Sequence, residues 1–511
     1  MLAVIVALVV AAMSVVGCSS DDSQSAGRQS NGQGVARTVP TDDQGRTESA
    51  EGISITVQPD NRGQSLLDGI AQATTSVDVV VYEIDAPQIN AALVAAIERG
   101  VNVRMVLNGQ WFGGASTRYA YDLQTVLQAA AAKPGAGTVQ LNWSSNNFQI
   151  THQKTVLIDA LAKDGTPLGA GDLPPTAQAH VLTGNLNAYN YQSYQPNKCG
   201  SPCNFWSARD FYMLVTDTTL VAEIARVFAS DFSCAPATET NGLLDTPLPL
   251  TWSNGSTGVA PGDPAGQYPA QGIYPYPFVN TPAQPLPDGP DPGPGTDQGN
   301  VRARTLKIIN AATTSLDVYN EEMADQQTVD ALAAAAARLG GGKVRVVMTG
   351  DLTENSYAAA YDQLVAAGVV VKLFPNLDSV LYIHAKAVVA DGTDAYIGST
   401  NISSPSMNFN RELGLVFDDQ PEILAPVITT FEADFSNPVA KVWPTPSPST
   451  TTTAASVTSV GPSVAQDGPG ADLTVVSPDA ASDAPMACGP IVVPTPWPPP
   501  TSTTTTTTTR P

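Results

Sequence analysis

Apolar and polar positions recur regularly from Ile53 to about Cys234, and again from about Val301 to Trp443. In the first block Leu66 to Ala73 has helical spacing and leads into a β-rich run, Val77 to Tyr82. A second helix (Ile89 to Arg99) and a second buried strand (Val101 to Leu107) follow. The second block repeats the order: helix Leu306 to Ala312, strand Leu316 to Tyr319, helix Thr328 to Leu339, strand Lys343 to Met348. Strand and helix alternate at the spacing of βαβ units, so each block is expected to be α/β. The repeat extends to the letters: Ala73-Thr-Thr-Ser-Val-Asp78-Val79 matches Ala312-Thr-Thr-Ser-Leu-Asp317-Val318.

The flanking sequence lacks this patterning. Leu2 to Val16 is apolar but shorter than a membrane-spanning helix, and it is followed by Gly17-Cys18. It fits a signal peptide over 1–17, although no Lys or Arg precedes the apolar run. Val15-Val16-Gly17-Cys18 resembles a bacterial lipobox, which makes Cys18 the expected lipidation site. The protein is then exported, facing outward on the cell membrane or secreted. Residues 18–50 are polar and read as a flexible tether. Residues 241–298 are rich in Pro and Gly and read as a linker or long crossover without strands or helices. Residues 444–511 form a Pro/Ser/Thr tail that cannot bury a core. That leaves one domain over 51–240 and another over 299–443.

Composition sharpens this picture. Pro (42) and Gly (41) are abundant while charged residues make up only 14%, as expected of two packed units joined and flanked by low-complexity sequence. The formal net charge of -23 disfavours non-specific nucleic-acid binding without excluding a local basic pocket for one phosphate. Besides Cys18 the chain has Cys199, Cys203, Cys234 and Cys488, an even number that suits disulfides in an exported protein, with a pair among the first three expected. No metal cluster is legible around them, so neither metal nor cofactor is expected.

The chemistry lies in the histidines. Two of the three stand in one pattern: His152-Gln-Lys154-Thr-Val-Leu-Ile-Asp159 and His384-Ala-Lys386-Ala-Val-Val-Ala-Asp391. Given a His, Lys two on and Asp seven on arises by chance on the order of one time in a thousand. Both motifs run into β-branched and aliphatic residues, so each is read as a strand. Residues two apart on a strand share a face, so His and Lys project together. The Asp, an odd number away, suits a structural place better than an attacking one. His180 has no such partners and is read as a hydrogen-bonded core side chain.

The paired motif resembles the signature of the phospholipase D superfamily, over about residues 53 to 440. Gly398-Ser399-Thr400-Asn401 is similar to the family's Gly-Ser-x-Asn element. Gly184-Asn185-Leu186-Asn187 takes that place in the first block, with Leu161 to Ala179 read as an inserted loop. Asn410-Arg411-Glu412 resembles the element whose carboxylate orients a catalytic imidazole, and Ala208-Arg209-Asp210 is its counterpart; a plain ion pair with the neighbouring Arg is the other reading. The resemblance implies two similar α/β sandwich domains related by a pseudo-twofold. It implies a catalytic set of His152, Lys154, Asp159, His384, Lys386 and Asp391, and a supporting set of Asn185, Asn187, Ser399, Asn401, Asp210 and Glu412. One imidazole would attack phosphorus, His152 by family habit, and the other would protonate the leaving alkoxide. The two ammonium groups would stabilise charge on the phosphoryl oxygens without a metal.

Glu83 and Glu322, each five residues after the repeated Asp, are left out of that set: a cleft wall and a solvated strand end are equally good readings of Glu83. Tyr189, Tyr191, Tyr194, Phe205 and Trp206 read either as a lipid-gripping surface or as loop packing. The expected activity is phospholipase D-type hydrolysis of a phospholipid to phosphatidate and a head-group alcohol, with transfer to another alcohol open. The expected partners are a phospholipid or other phosphodiester and a membrane surface reached through the lipid anchor, with the chain a monomer. A secreted nuclease of the same superfamily is the alternative enzyme, set against the overall charge. A catalytically silent surface binding module is the third reading, set against two intact motifs.

Overall fold

A computed structural model describes residues 52–108, 118–144, 150–191, 207–234, 276–280, 301–353, 355–377, 379–408 and 410–444. The signal segment, Cys18, the tether, the tail beyond residue 444, Cys199, Cys203 and Cys488 lie outside those residues, as do most of 241–298 and the side chain of Cys234.

The first half runs β1 (Ile53–Gln58), α1 (Gln64–Gln72), β2 (Ser76–Val81), α2 (Pro87–Glu98), β3 (Asn102–Leu107), α3 (Arg118–Ala131), β4 (Val139–Trp143), β5 (Thr155–Ile158), β6 (Gln178–Leu182), β7 (Ala208–Val215) and α4 (Thr218–Cys234). The second runs β8 (Tyr276–Asn280), α5 (Val301–Ala311), β9 (Leu316–Tyr319), α6 (Gln326–Leu339), β10 (Val344–Thr349), α7 (Ala358–Ala366), β11 (Val370–Phe374), β12 (Tyr382–Ile383), β13 (Ala387–Ala390), β14 (Asp394–Gly398), α8 (Ser404–Asn408), β15 (Glu412–Phe417), α9 (Pro421–Ser436) and β16 (Lys441–Val442).

The two sheets have one topology. Their strand orders are β4-β3-β2-β5-β6-β7-β1 and β11-β10-β9-β13-β14-β15-β8, with β16 added beside β11. In each, a parallel trio joins four antiparallel strands at the first strand after a helix, β2 or β9. β8 corrects the reading of 241–298 as free of strands: it pairs antiparallel with β15 in the place β1 takes beside β7. It is an edge strand, where Pro277 is tolerated because one side of the ladder needs no donor.

The repeated Asp residues lock the parallel trios. Asp78 lies opposite Arg104 and accepts from its Nε at 2.5 Å; Asp317 lies opposite Arg345 and takes its Nε and Nη2 at 2.7 and 2.8 Å. Helices α1–α3 cover the outer face of the first sheet and α5–α7 that of the second, each over its own apolar core. The inner faces share a third core. Val181, Phe211 and Phe228 of the first half sit in it with Tyr319, Ile383, Leu415 and Phe431 of the second. The Phe211 and Tyr319 rings meet edge to face at 5.5 Å, and Tyr319 meets Phe431 at 5.1 Å.

His180 on β6 is buried as expected, but it is not hydrogen-bonded: neither ring nitrogen has a partner among the described residues. Its Nε2 sits where a side chain at residue 69 would reach, so Gly69 on α1 makes room for the ring. Burial pushes its pKa down to about 3. Between the ordinary imidazole value and that one, the unfolded chain binds a proton that the folded chain refuses. Stability is therefore full above about pH 6.5 and falls as pH drops toward about 3. Replacing His180 with Leu should lessen the fall in melting temperature between about pH 7 and about pH 4 by several degrees, followed by circular dichroism. An unchanged slope would mean that the folded state already protonates this ring.

Candidate active site

The motif histidines lie in extended segments just before β5 and β13, not inside the strands themselves. Each segment is stitched to the opposite half. The backbone N–H groups of His152 and Gln153 donate to the Arg411 carbonyl at 2.8 and 2.9 Å. Symmetrically, His384 N–H donates to the Arg209 carbonyl at 3.2 Å, and β12 just before it pairs with β7. Each motif His therefore leaves its own half and rests on the strand that carries the other half's Arg-Asp or Arg-Glu pair.

The side chains cross in the same way. His152 Nδ1 lies 2.9 and 3.0 Å from the Glu412 carboxylate, and His384 Nδ1 lies 3.0 and 3.2 Å from that of Asp210. A carboxylate only accepts, so each Nδ1 carries the proton and donates it. The neighbouring arginines are engaged elsewhere. Arg209 binds Asp434 on α9 (Nε–Oδ2 2.8 Å), and buried Arg411 binds Asp231 on α4 (Nη2–Oδ1 2.8 Å), again each across the halves. Glu412 and Asp210 are thus left to the imidazoles and do not form the plain ion pairs that were the other reading.

Asp159 and Asp391 correct the sequence expectation of a catalytic role. Each stands at the end of its strand with positive φ (51° and 56°) and turns away from the histidines. Asp159 accepts the backbone N–H groups of Thr74, Thr75 and Ser76; Asp391 accepts those of Thr313, Thr314 and Ser315. The repeated Ala-Thr-Thr-Ser and the motif Asp are therefore two ends of one structural clamp. Its hydrogen bonds hold both carboxyls below the usual carboxylate range against the opposing effect of burial.

The Asn and Ser positions need a second correction, of register. Ser399 Oγ donates to Glu412 (2.5 Å) and accepts from Leu413 N–H (3.0 Å). In the first half those contacts, to Asp210 at 2.7 Å and from Phe211 N–H at 2.9 Å, are made by Thr183, not by Asn185. Asn185 is then the counterpart of Asn401, and both line the cleft. Asn187 is set off the cleft lining and donates to Glu83 at 2.7 Å. Ser399 likewise steadies Glu412 instead of facing the cleft. The legible signal was a hydroxyl residue two before an Asn: Thr183-x-Asn185 and Ser399-x-Asn401.

Both imidazoles border one cleft of about 560 Å³. Lys154 and Lys386 are buried beside it, and each Nζ donates to the carbonyl of its own motif His at 2.6 and 2.5 Å. Around His152 the neighbour is Tyr82, ring to ring at 5.1 Å, with the Lys154 ammonium 5.6 Å from the Tyr82 centroid. Around His384 it is Glu321, whose Oε2 lies 3.4 Å from Nε2 and 3.0 Å from Lys386 Nζ. Burial outweighs the attraction of Glu412 and pushes His152 down to about 4. Burial, with Lys386 nearby, brings Lys154 down to about 7. Glu412 is held below its usual range although burial opposes it, chiefly by His152. His152 is therefore neutral near pH 7, protonated on Nδ1, with the Nε2 lone pair free to attack. Among the described residues no group of three or more His, Cys, Asp or Glu is arranged to hold a metal.

The family model described as "Cardiolipin synthase, PLD-like domain" matches this chain twice, over residues 66–197 and 305–436. The chain belongs to the phospholipase D superfamily. Its fold is similar to that of a phosphatidylserine synthase from Haemophilus influenzae Rd KW20, with a TM-score of 0.50 and 13% identity over 77% of this chain and 88% of that one. A polyphosphate kinase from Porphyromonas gingivalis matches with a TM-score of 0.45 and 13% identity over 76% of this chain and 48% of that one, so this chain spans about half its length. The phospholipase D family member Nuc from Salmonella typhimurium matches with a TM-score of 0.26 and 18% identity, over 33% of this chain and 99% of Nuc. No curated protein sequence matches.

Within this phospholipase D-like frame the sequence reading missed Tyr82, Glu321 and Tyr382, all on the cleft wall, and left out Glu83 and Glu322, which also line it. Counting from the repeated Asp would have paired Glu83 with Glu322, and Tyr82 with Glu321 one position earlier. Of the aromatic cluster, Tyr191 is buried against Tyr212, as in loop packing; the other four fall outside the residues whose side chains are described. The clamp yields a prediction. Asp159→Ala strands backbone donors and should cost about 1–3 kcal/mol of stability, read from urea unfolding. Turnover per folded molecule should stay within about tenfold of the parent, against the loss of about 10²–10⁴-fold expected for removing a proton-transfer group.

Proposed function

We propose that the protein is a phospholipase D-type phosphodiesterase that hydrolyses a phospholipid to phosphatidate and the head-group alcohol. The observation that carries this reading is the crossed pair of His–carboxylate contacts at one cleft. His152 Nε2 forms the bond to phosphorus as the bond to the head-group oxygen breaks, and His384 gives that oxygen a proton. His384 then takes a proton from water, whose oxygen replaces His152 on phosphorus; an alcohol in place of water gives transfer. Lys154, Lys386, Asn185 and Asn401 stabilise the phosphoryl oxygens. The described lining includes four carboxylates, Glu83, Glu321, Glu322 and Asp351, and no Lys or Arg. Such a wall suits one phosphate entering from a lipid surface better than a polyanionic strand. The lipid anchor expected at Cys18 agrees with that choice.

Full-length protein in mixed micelles is assayed on a phospholipid panel, bis-p-nitrophenyl phosphate and single-stranded DNA, with EDTA present. Head-group release that survives EDTA and falls about 10²–10⁴-fold in His152→Ala and in His384→Ala is expected. The nitrophenyl ester needs no acid for its leaving group, so His384→Ala should release a burst of nitrophenol and accumulate phosphoenzyme, while His152→Ala does neither. Cleavage of DNA alone would replace this reading with the nuclease one. Lys154 loses its proton as pH rises through about 7, so kcat/KM should decline above that pH, and Lys154→Arg should remove the decline while lowering the plateau.

A further inference from the structure

The two halves of the site are not equivalent in charge. In the second half three groups converge on a single oxygen: Glu321 Oε2 accepts from Lys386 Nζ at 3.0 Å and from Asn401 Nδ2 at 3.5 Å, and lies 3.4 Å from His384 Nε2. Lys386 and Asn401 are the groups that should receive a non-bridging phosphoryl oxygen, beside the His384 nitrogen that serves the leaving oxygen. The other carboxylate oxygen is braced by the Tyr382 hydroxyl at 2.8 Å, so Oε2 can be displaced while the carboxylate stays at the site. In the first half the same place in the repeat belongs to Tyr82, an uncharged ring against His152 and Lys154. The bridges Ile84–Leu186 and Met323–Ile402 fix that equivalence, placing Tyr82 and Glu321 each two residues before a bridge partner.

We propose that Glu321 is a charge filter: it holds the second half's anion donors and disfavours a dianionic phosphomonoester against a monoanionic phosphodiester. The inference rests on the phosphodiesterase reading of the same cleft. A diester carries one negative charge, whereas a monoester carries nearly two at neutral pH. Lys386 and His384 hold Glu321 well below the usual range although burial opposes them, so the carboxylate that an arriving ligand meets is ionised, and both ligands must displace its Oε2. The second charge of the monoester meets that carboxylate at close range in a partly buried cleft, where Coulomb repulsion is strong. Phosphatidate, the product of hydrolysis, is itself a monoester. The filter therefore favours its release as well as the choice of substrate.

The test is binding, not turnover. Glycerol 3-phosphate and dimethyl phosphate are titrated calorimetrically into the full-length protein, Glu321→Gln and Glu322→Gln. Glu321→Gln should tighten glycerol 3-phosphate roughly tenfold or more and dimethyl phosphate by about threefold at most, because only the former carries a second charge. Glu322→Gln, which also removes one carboxylate from the cleft wall, should leave the ratio of the two affinities within about threefold, because Lys386 Nζ and Asn401 Nδ2 donate to Glu321. An equal gain for both ligands in Glu321→Gln, no gain, no measurable binding by any of the three proteins, or the same change of ratio in Glu322→Gln would each overturn the filter. If Glu321→Gln does not fold, Tyr82→Glu serves in its place and should weaken glycerol 3-phosphate more than dimethyl phosphate; equal weakening would overturn the proposal. A selective gain in a protein that hydrolyses no diester would leave the filter standing and remove the phosphodiesterase reading. Turnover with unchanged selectivity would do the reverse.

Discussion

Two arginine carbonyls hold this candidate active site together. The carbonyl of Arg411 accepts the backbone of the first motif and that of Arg209 accepts the second, so each motif segment is registered on foreign backbone. The carboxylate that follows each arginine then falls opposite an imidazole with no further adjustment. Ring orientation, tautomer and the spacing of the two histidines all depend on this exchange. The arginine side chains secure it from behind by pairing with Asp231 and Asp434 on the two helices that flank the shared core.

Burying this much charge is costly unless every ion has partners. The structure meets the cost in part by placing ions where the halves meet, so that Arg209, Arg411 and the two imidazoles find their carboxylates across the junction. The shared aromatic core around Phe211, Tyr319 and Phe431 gives the apolar counterpart of the same contact. Because polar pairs and apolar core lie on one junction, the site is as rigid as the packing between the sheets, and a shift of either half would move one imidazole relative to the other.

Much of this was legible in the sequence. The periodicity announced both α/β halves, and the two His-x-Lys patterns announced the centre of the site. What a linear reading could not show is which half serves which histidine, since Glu412 follows His384 in the chain yet binds His152. The motif Asp was placed in the catalytic set by the resemblance, while its odd spacing from the His already suited a structural place; its partners, the amides of Thr74 to Ser76, are backbone donors that any sequence would supply. The register of Asn185 was lost because Asn187 also fits the spacing, and only the hydroxyl of Thr183 distinguishes them. β8 was lost because its strand lies within proline-rich sequence, where composition speaks against pairing.

Tandem fusion has a consequence for what such a site can become. Two identical subunits meeting on a twofold axis must present the same residue at both equivalent positions, so any change on one side is made on the other. A single polypeptide with two unlike copies is free of that rule. Tyr82 and Glu321 occupy equivalent places and differ in size, polarity and charge, a difference no symmetric pair of subunits could hold. Covalent linkage has thus turned a symmetric cleft into a polar one, its two sides set apart by a single residue in each repeat.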